Sequence, residues 1–131
     1  MITQVDRDTR CLVGWDVVWE RSTDALQAML DRSPQARQYY SDAFSTYGTL
    51  IYTPGTYQAC ADKSQTYSVE ADNAELRHYL ARLACKSRCF SRCIHALWRA
   101  VKLFVFACNR RQMQKRLFPQ YPAHVKDFVY P

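Results

Sequence analysis

Apolar and polar residues alternate with a period of two over residues 11–19. Cys11, Val13, Trp15, Val17 and Trp19 share one face, and Leu12, Gly14, Asp16 and Val18 share the other. That period predicts a strand. Residues 2–5 also read as extended, and the charged run Asp6, Arg7, Asp8, Thr9 and Arg10 lies between the two as a turn, so the chain opens on a hairpin. The period then lengthens. Leu26, Met29 and Leu30 recur at helical spacing behind Ser22, Thr23 and Asp24, which supply an N-cap and an acidic first turn, and Pro34 stops the helix. Residues 37–41, rich in tyrosine, predict a buried strand that carries Asp42 just past its C-terminal end. Phe44, Tyr47, Leu50 and Ile51 suit a short helix closed by Thr53, Pro54 and Gly55, with a further short strand over residues 57–60.

The longest helical signal falls in residues 66–91, read as one helix running into a basic turn. Val69, Leu76, Leu80 and Leu83 make a narrow apolar stripe. Glu70, Asn73 and Arg77 stand at i, i+3 and i+7, so they share a second stripe beside it. One face packs, and its neighbour presents a carboxylate, an amide and a guanidinium together; for an arbitrary helix this is a solvated polar stripe. Ile94, Leu97, Trp98, Val101, Phe104, Val105 and Cys108 then give a wide apolar face, with Arg92, Arg99, Lys102 and Arg110 around its other side. Residues 118–131, with three prolines and several aromatics, predict an extended tail folded back on the body. Strands leading into a strand–helix–strand–helix order predict a mixed α/β layer.

Composition narrows the class. Nearly half of the 131 residues are hydrophobic and 14% are aromatic, which suits one globular domain rather than a disordered chain. No apolar run approaches the roughly 20 residues of a membrane span and no secretory signal opens the chain, so the reading is cytoplasmic. The net charge of +6 is unevenly spread. Residues 1–76 hold 6 Lys/Arg against 11 Asp/Glu, whereas residues 77–131 hold 12 Lys/Arg against one acid, Asp127. A one-sided basic half favours a polyanion such as DNA or RNA through counterion release; the plainer reading is a solubilising face. Of the six cysteines, Cys85, Cys89 and Cys93 recur every four residues, which is helix packing rather than the pairing of a zinc knuckle.

Several short motifs occur in an order that is similar to one family. Glu70, Asn73 and Arg77 stand as Glu-x-x-Asn-x-x-x-Arg, followed by His78-Tyr79-Leu80-Ala81-Arg82-Leu83, then Lys86-Ser87 and Phe90-Ser91. Upstream, Ser41-Asp42-x-Phe44-x-x-Tyr47 precedes them. Together they resemble the C-terminal signature of insertion-sequence DDE transposases, closest to the insertion-sequence-one family, over residues 5–118.

The resemblance implies a partial ribonuclease-H-like fold: residues 1–65 a partial sheet with helices, residues 66–117 basic helices, and residues 118–131 the Pro/aromatic tail. It implies DNA cleavage and strand transfer with two Mg²⁺ ions about 3.5–4 Å apart, held by carboxylates that stabilise the entering and leaving oxygens. Asp42 then inherits the second carboxylate's role and Glu70 the third's, as metal ligands. Asn73 and Arg77 then lie by the DNA backbone or orient Glu70; the basic half, apart from the resemblance, makes Arg82, Lys86, Arg88, Arg92 and Arg99 the further DNA contacts expected. The family's first carboxylate lies on a strand upstream of a hairpin turn like residues 5–10. This chain starts inside that hairpin, so that strand and the upstream DNA-binding region are expected to be absent. Asp6 and Asp8 sit in a turn, where the ordinary role is turn chemistry. The implied activity is DNA transposition by a truncated copy, inactive or nearly so alone and nucleoid-associated, acting on element ends. The alternative is a non-enzymatic DNA-binding or interaction module that modulates an intact transposase; the partners expected besides DNA are an intact transposase or a second copy in a homodimer.

Overall fold

The computed structural model describes residues 1–42, 44–60, 67–80 and 92–129. The chain is mixed α/β and divides into two compact units, Met1–Gln4 with Val13–Asp72, and Val5–Leu12 with Asn73–Pro131.

A hairpin opens the chain, from β1 (Ile2–Val5) to β2 (Leu12–Asp16). Its turn is built by Asp6, whose carboxylate accepts from the Thr9 amide at 2.9 Å and from the Thr9 hydroxyl, while its carbonyl accepts from Arg10 N at 2.9 Å. Arg10 takes the left-handed φ of 63° that closes such a turn. The strand is shorter than the alternation predicts, and its buried face is the Leu12/Gly14 face rather than the tryptophan face. It ends where Asp16 turns on its own backbone, Oδ1 accepting from Val17 N at 2.8 Å and Oδ2 holding Arg32. Trp19, beyond that end, is 73% exposed.

In the first unit, α1 (Thr23–Arg32) starts at Ser22, whose hydroxyl accepts from Ala25 N at 3.3 Å, as the N-cap residues predict. Leu26 and Met29 are buried with Ile2, and Val18, Tyr47 and Leu50 pack against them. Gly14 lets β2 pass directly beneath the end of α1: a Cβ there would run into Ser33 Oγ, Met29 Sδ and Gln4 Oε1. β3 (Gln38–Ser41) pairs in parallel with β4 (Thr56–Ala59), Tyr39 opposite Tyr57 and Ser41 opposite Ala59. The connection between them carries a 3₁₀ turn, Ser45–Thr49. Both strands fall close to their predicted positions, but β3 is half-exposed rather than buried. The reason is topological: among the described residues the strands form two separate two-stranded sheets, so β3 has a strand on one side only.

The second unit is assembled along α3 (Ile94–Leu117), which buries Val101, Phe104, Val105, Ala107, Cys108 and Arg111. α2 (Tyr67–Tyr79) enters this unit with its second half; Leu76 is buried and the Tyr79 ring lies 6.1 Å from Phe104. α2 is described to Tyr79, and the rest of the predicted helix, with Leu83, Cys85 and Cys89, lies outside the described residues. The C-terminal segment is not simply extended. A second 3₁₀ turn, Val125–Phe128, packs on α3 with Val125 buried. Among the described residues no helix is long and apolar enough to cross a membrane.

Candidate functional site

Asp42 follows β3 directly, at the C-terminal end of the parallel pair, where the sequence places it. Three tyrosine rings pack beside that pair: Tyr52 stacks on Tyr57 with centroids 4.7 Å apart and 6° between planes, and Tyr39 lies 5.0 Å from Tyr52. Burial, with the neighbouring tyrosines, pushes the Tyr52 hydroxyl up to about 12, so it stays protonated and donates to the Tyr47 carbonyl at 2.8 Å. Tyr39 Oη accepts from Ala36 N. Ser41 Oγ is 2.8 Å from Tyr57 Oη and donates to the Asp42 carbonyl. The tyrosine cluster thus props the strand end, and its hydroxyls are engaged in structure. Asp42 itself is exposed, with Oδ1 accepting from Phe44 N at 3.4 Å.

Glu70 lies in the first turn of α2, with Asn73 and Arg77 one and two turns on. Glu70 and Arg77 are exposed and Asn73 is half-buried, as expected for a polar stripe beside the packed Leu76. A carboxylate at a helix N-terminus is also favoured by the helix dipole, whatever else it does. Among the described residues no three His, Cys, Asp or Glu side chains gather into a group able to hold a metal ion. Asp42 and Glu70 are two carboxylates, and a two-metal centre uses a cluster. Asp6 is held below the usual carboxylate range, first by its Thr9 hydrogen bonds and to a lesser degree by Arg116. It is occupied as the organiser of the hairpin turn.

The cations are arranged more tellingly. Arg99, Lys102 and Arg110 are exposed on the side of α3 opposite its buried face, Arg92 is exposed just before the helix, and Lys115 and Arg116 are exposed at its C-terminal end, nearer Glu75 and Asp6. Lys102 Nζ sits 5.3 Å from the Trp98 ring and the Arg110 guanidinium 5.3 Å from the Phe106 ring, so part of this basic surface is aromatic. Arg82, Lys86 and Arg88 lie outside the described residues. α3 contains no acidic residue at all.

One cation behaves differently, and the hydrophobic pattern does not reveal it. Arg111 is 4% exposed and meets Glu75 of α2 through both terminal nitrogens, each 2.5 Å from a carboxylate oxygen. Those hydrogen bonds hold Glu75 below the usual carboxylate range and raise Arg111. A sequence signal for it exists: Arg111 falls three and seven residues after Cys108 and Phe104, on the buried arc of the same helix.

No family model, no curated protein and no solved structure matches this chain. What it does must therefore be read from its own surfaces.

Proposed function

We propose that this chain binds nucleic acid through the exposed basic side of α3, as a DNA-binding module of transposition. The observation that carries this reading is the helix itself: 24 residues with Arg99, Lys102 and Arg110 exposed on the side opposite its buried face and no acid among them. A rod of that length with cations along one side suits a run of backbone phosphates, and each phosphate neutralised releases counterions. The order of motifs that resembles the insertion-sequence transposases supports DNA as the polyanion, with element ends as the implied target and an intact transposase as a further partner.

A second reading, strand cleavage at a DDE centre of ribonuclease-H-like type, is supported by one observation. Asp42 stands at the C-terminal end of a parallel strand and Glu70 lies in the first turn of α2, which is compatible with the roles that the resemblance gives them. Mg²⁺ in such a centre would activate the attacking oxygen and stabilise the leaving one. Two carboxylates fit that role only in part, and no cleavage step follows from them alone.

Fluorescence anisotropy with a labelled DNA duplex tests both. Replacing Arg92, Arg99 and Lys102 together with alanine is expected to weaken binding by about tenfold or more, because three fewer phosphates are neutralised and fewer counterions released. Asp42→Ala and Glu70→Ala should leave it unchanged. Unaltered affinity in the triple variant overturns the basic-face reading. Mg²⁺-dependent nicking that disappears in Asp42→Ala and in Glu70→Ala would establish the second reading instead.

A further inference from the structure

The outward side of α3 carries, among its cations, apolar side chains that phosphate binding does not use. Leu103, Phe106, Arg110, Met113 and Leu117 follow one another at alternating steps of three and four residues, and one step further back stands Arg99. That alternation is the seam along which two helices pack knobs into holes. The four apolar members are 47%, 45%, 46% and 68% exposed, in the order of the sequence. α3 therefore has two apolar faces, and the second of them stays largely exposed among the described residues. Towards its C-terminal end the row borders a groove of about 390 Å³, lined by Phe106, Arg110, Met113 and Leu117 with Phe128 of the C-terminal 3₁₀ turn. A ridge beside a groove is what an incoming helix's side chains need.

We propose that this row is the docking surface for an amphipathic helix of a partner protein, one whose apolar seam is flanked by acidic residues. Charge selects the occupant. α3 has no acid, and of its six cations Arg99 and Arg110 fall in the row itself while Lys102 and Arg116 flank it. A second copy of the chain would set cations against cations along the whole seam, which is disfavoured. An anionic lipid surface would suit the charge, but a helix lying in a membrane interface buries a broad apolar face. Here arginines interrupt a row one side chain wide. Glutamates beside a partner's seam would meet Arg99 and Arg110, while its apolar knobs cover Phe106, Met113 and Leu117.

The test uses the full chain and a labelled three-heptad peptide with leucine at both seam positions and glutamate at the flanking ones. Anisotropy is expected to show saturable binding that falls at least about tenfold when lysine replaces the flanking glutamates. A similar loss is expected for the Met113→Ser/Leu117→Ser variant, whose substituted positions are exposed, so the fold is kept and circular dichroism should be unchanged. The same variant should bind the DNA duplex normally, which separates the role of the apolar side chains from that of the phosphate-binding cations. Equal binding of the glutamate and lysine peptides, or no binding of either, overturns the proposal. So does full binding by the double variant. Two further results assign the row elsewhere and overturn it as well: dimerisation in sedimentation equilibrium that the double variant abolishes, or row-dependent binding to phosphatidylserine vesicles without peptide binding.

Discussion

Arg111 is a cation on the buried arc of α3, and it is tolerated there because Glu75 meets both of its terminal nitrogens. Removing one partner of such a pair is costlier than removing both, since the survivor is left desolvated without its counter-charge. Glu75→Ala should therefore destabilise the second unit by about 3 kcal/mol, while Glu75→Leu/Arg111→Met should recover much of that, as read by urea unfolding. The pair also makes stability depend on pH. Glu75 titrates lower folded than unfolded, so its contribution is complete above the usual carboxylate value, about 4.3, and is lost as pH falls through the folded value. Arg111 is raised from a value already outside the working range and adds no pH dependence. In Glu75→Ala the acid limb of the stability profile should be shallower; an unchanged limb would mean that the pair contributes nothing. The sequence displays Glu75 and Arg111 as two charges among many. Their pairing joins residues 36 apart in the chain, on two different helices, and no periodicity encodes it.

Elements in this protein are joined by side-chain amides acting as pieces of backbone. Asn109 of α3 accepts from Leu12 N at 2.8 Å and donates to Leu12 O at 2.9 Å, so β2 gains at its first residue the pair of bonds a neighbouring strand would give. Gln27 of α1 does the same for Ile51, at 2.8 Å and 3.1 Å. Leu12 is buried, so its backbone has little access to water as a substitute partner. Asn109→Ala is expected to cost about 2 kcal/mol, the penalty of two orphaned backbone groups less what solvent restores, and faster amide exchange at Leu12 should report it. Exchange at Leu12 as slow as in the parent would contradict this role. At this scale the sequence is a fair guide to which elements exist: Ser22 caps α1, Asp6 and Thr9 make a turn, and tyrosines mark β3. It is a poor guide to how far they extend. The alternation of residues 11–19 continues past Asp16, but the strand does not, because Asp16 is drawn to Arg32 and to its own chain.

For the molecule as a whole, the controlling feature is the separation of charge along the chain. Binding through the basic side of α3 should follow salt steeply, with a slope of about −0.9 in log affinity against log salt for each phosphate neutralised on a duplex. Arg99→Ala should reduce the magnitude of that slope by about one, whereas Met113→Ser/Leu117→Ser should leave it alone. A slope near zero would remove nucleic acid as the partner. The one-sided basic half, the α/β class and the order of strands and helices were determined by the sequence itself, because composition and local period act within short windows. The pairing of the described strands into two small sheets, the face of β2 that is buried, the Glu75–Arg111 lock and the second apolar row on α3 were decided only by tertiary structure. Each depends on which surfaces meet, and the meeting of distant residues leaves no local pattern to read.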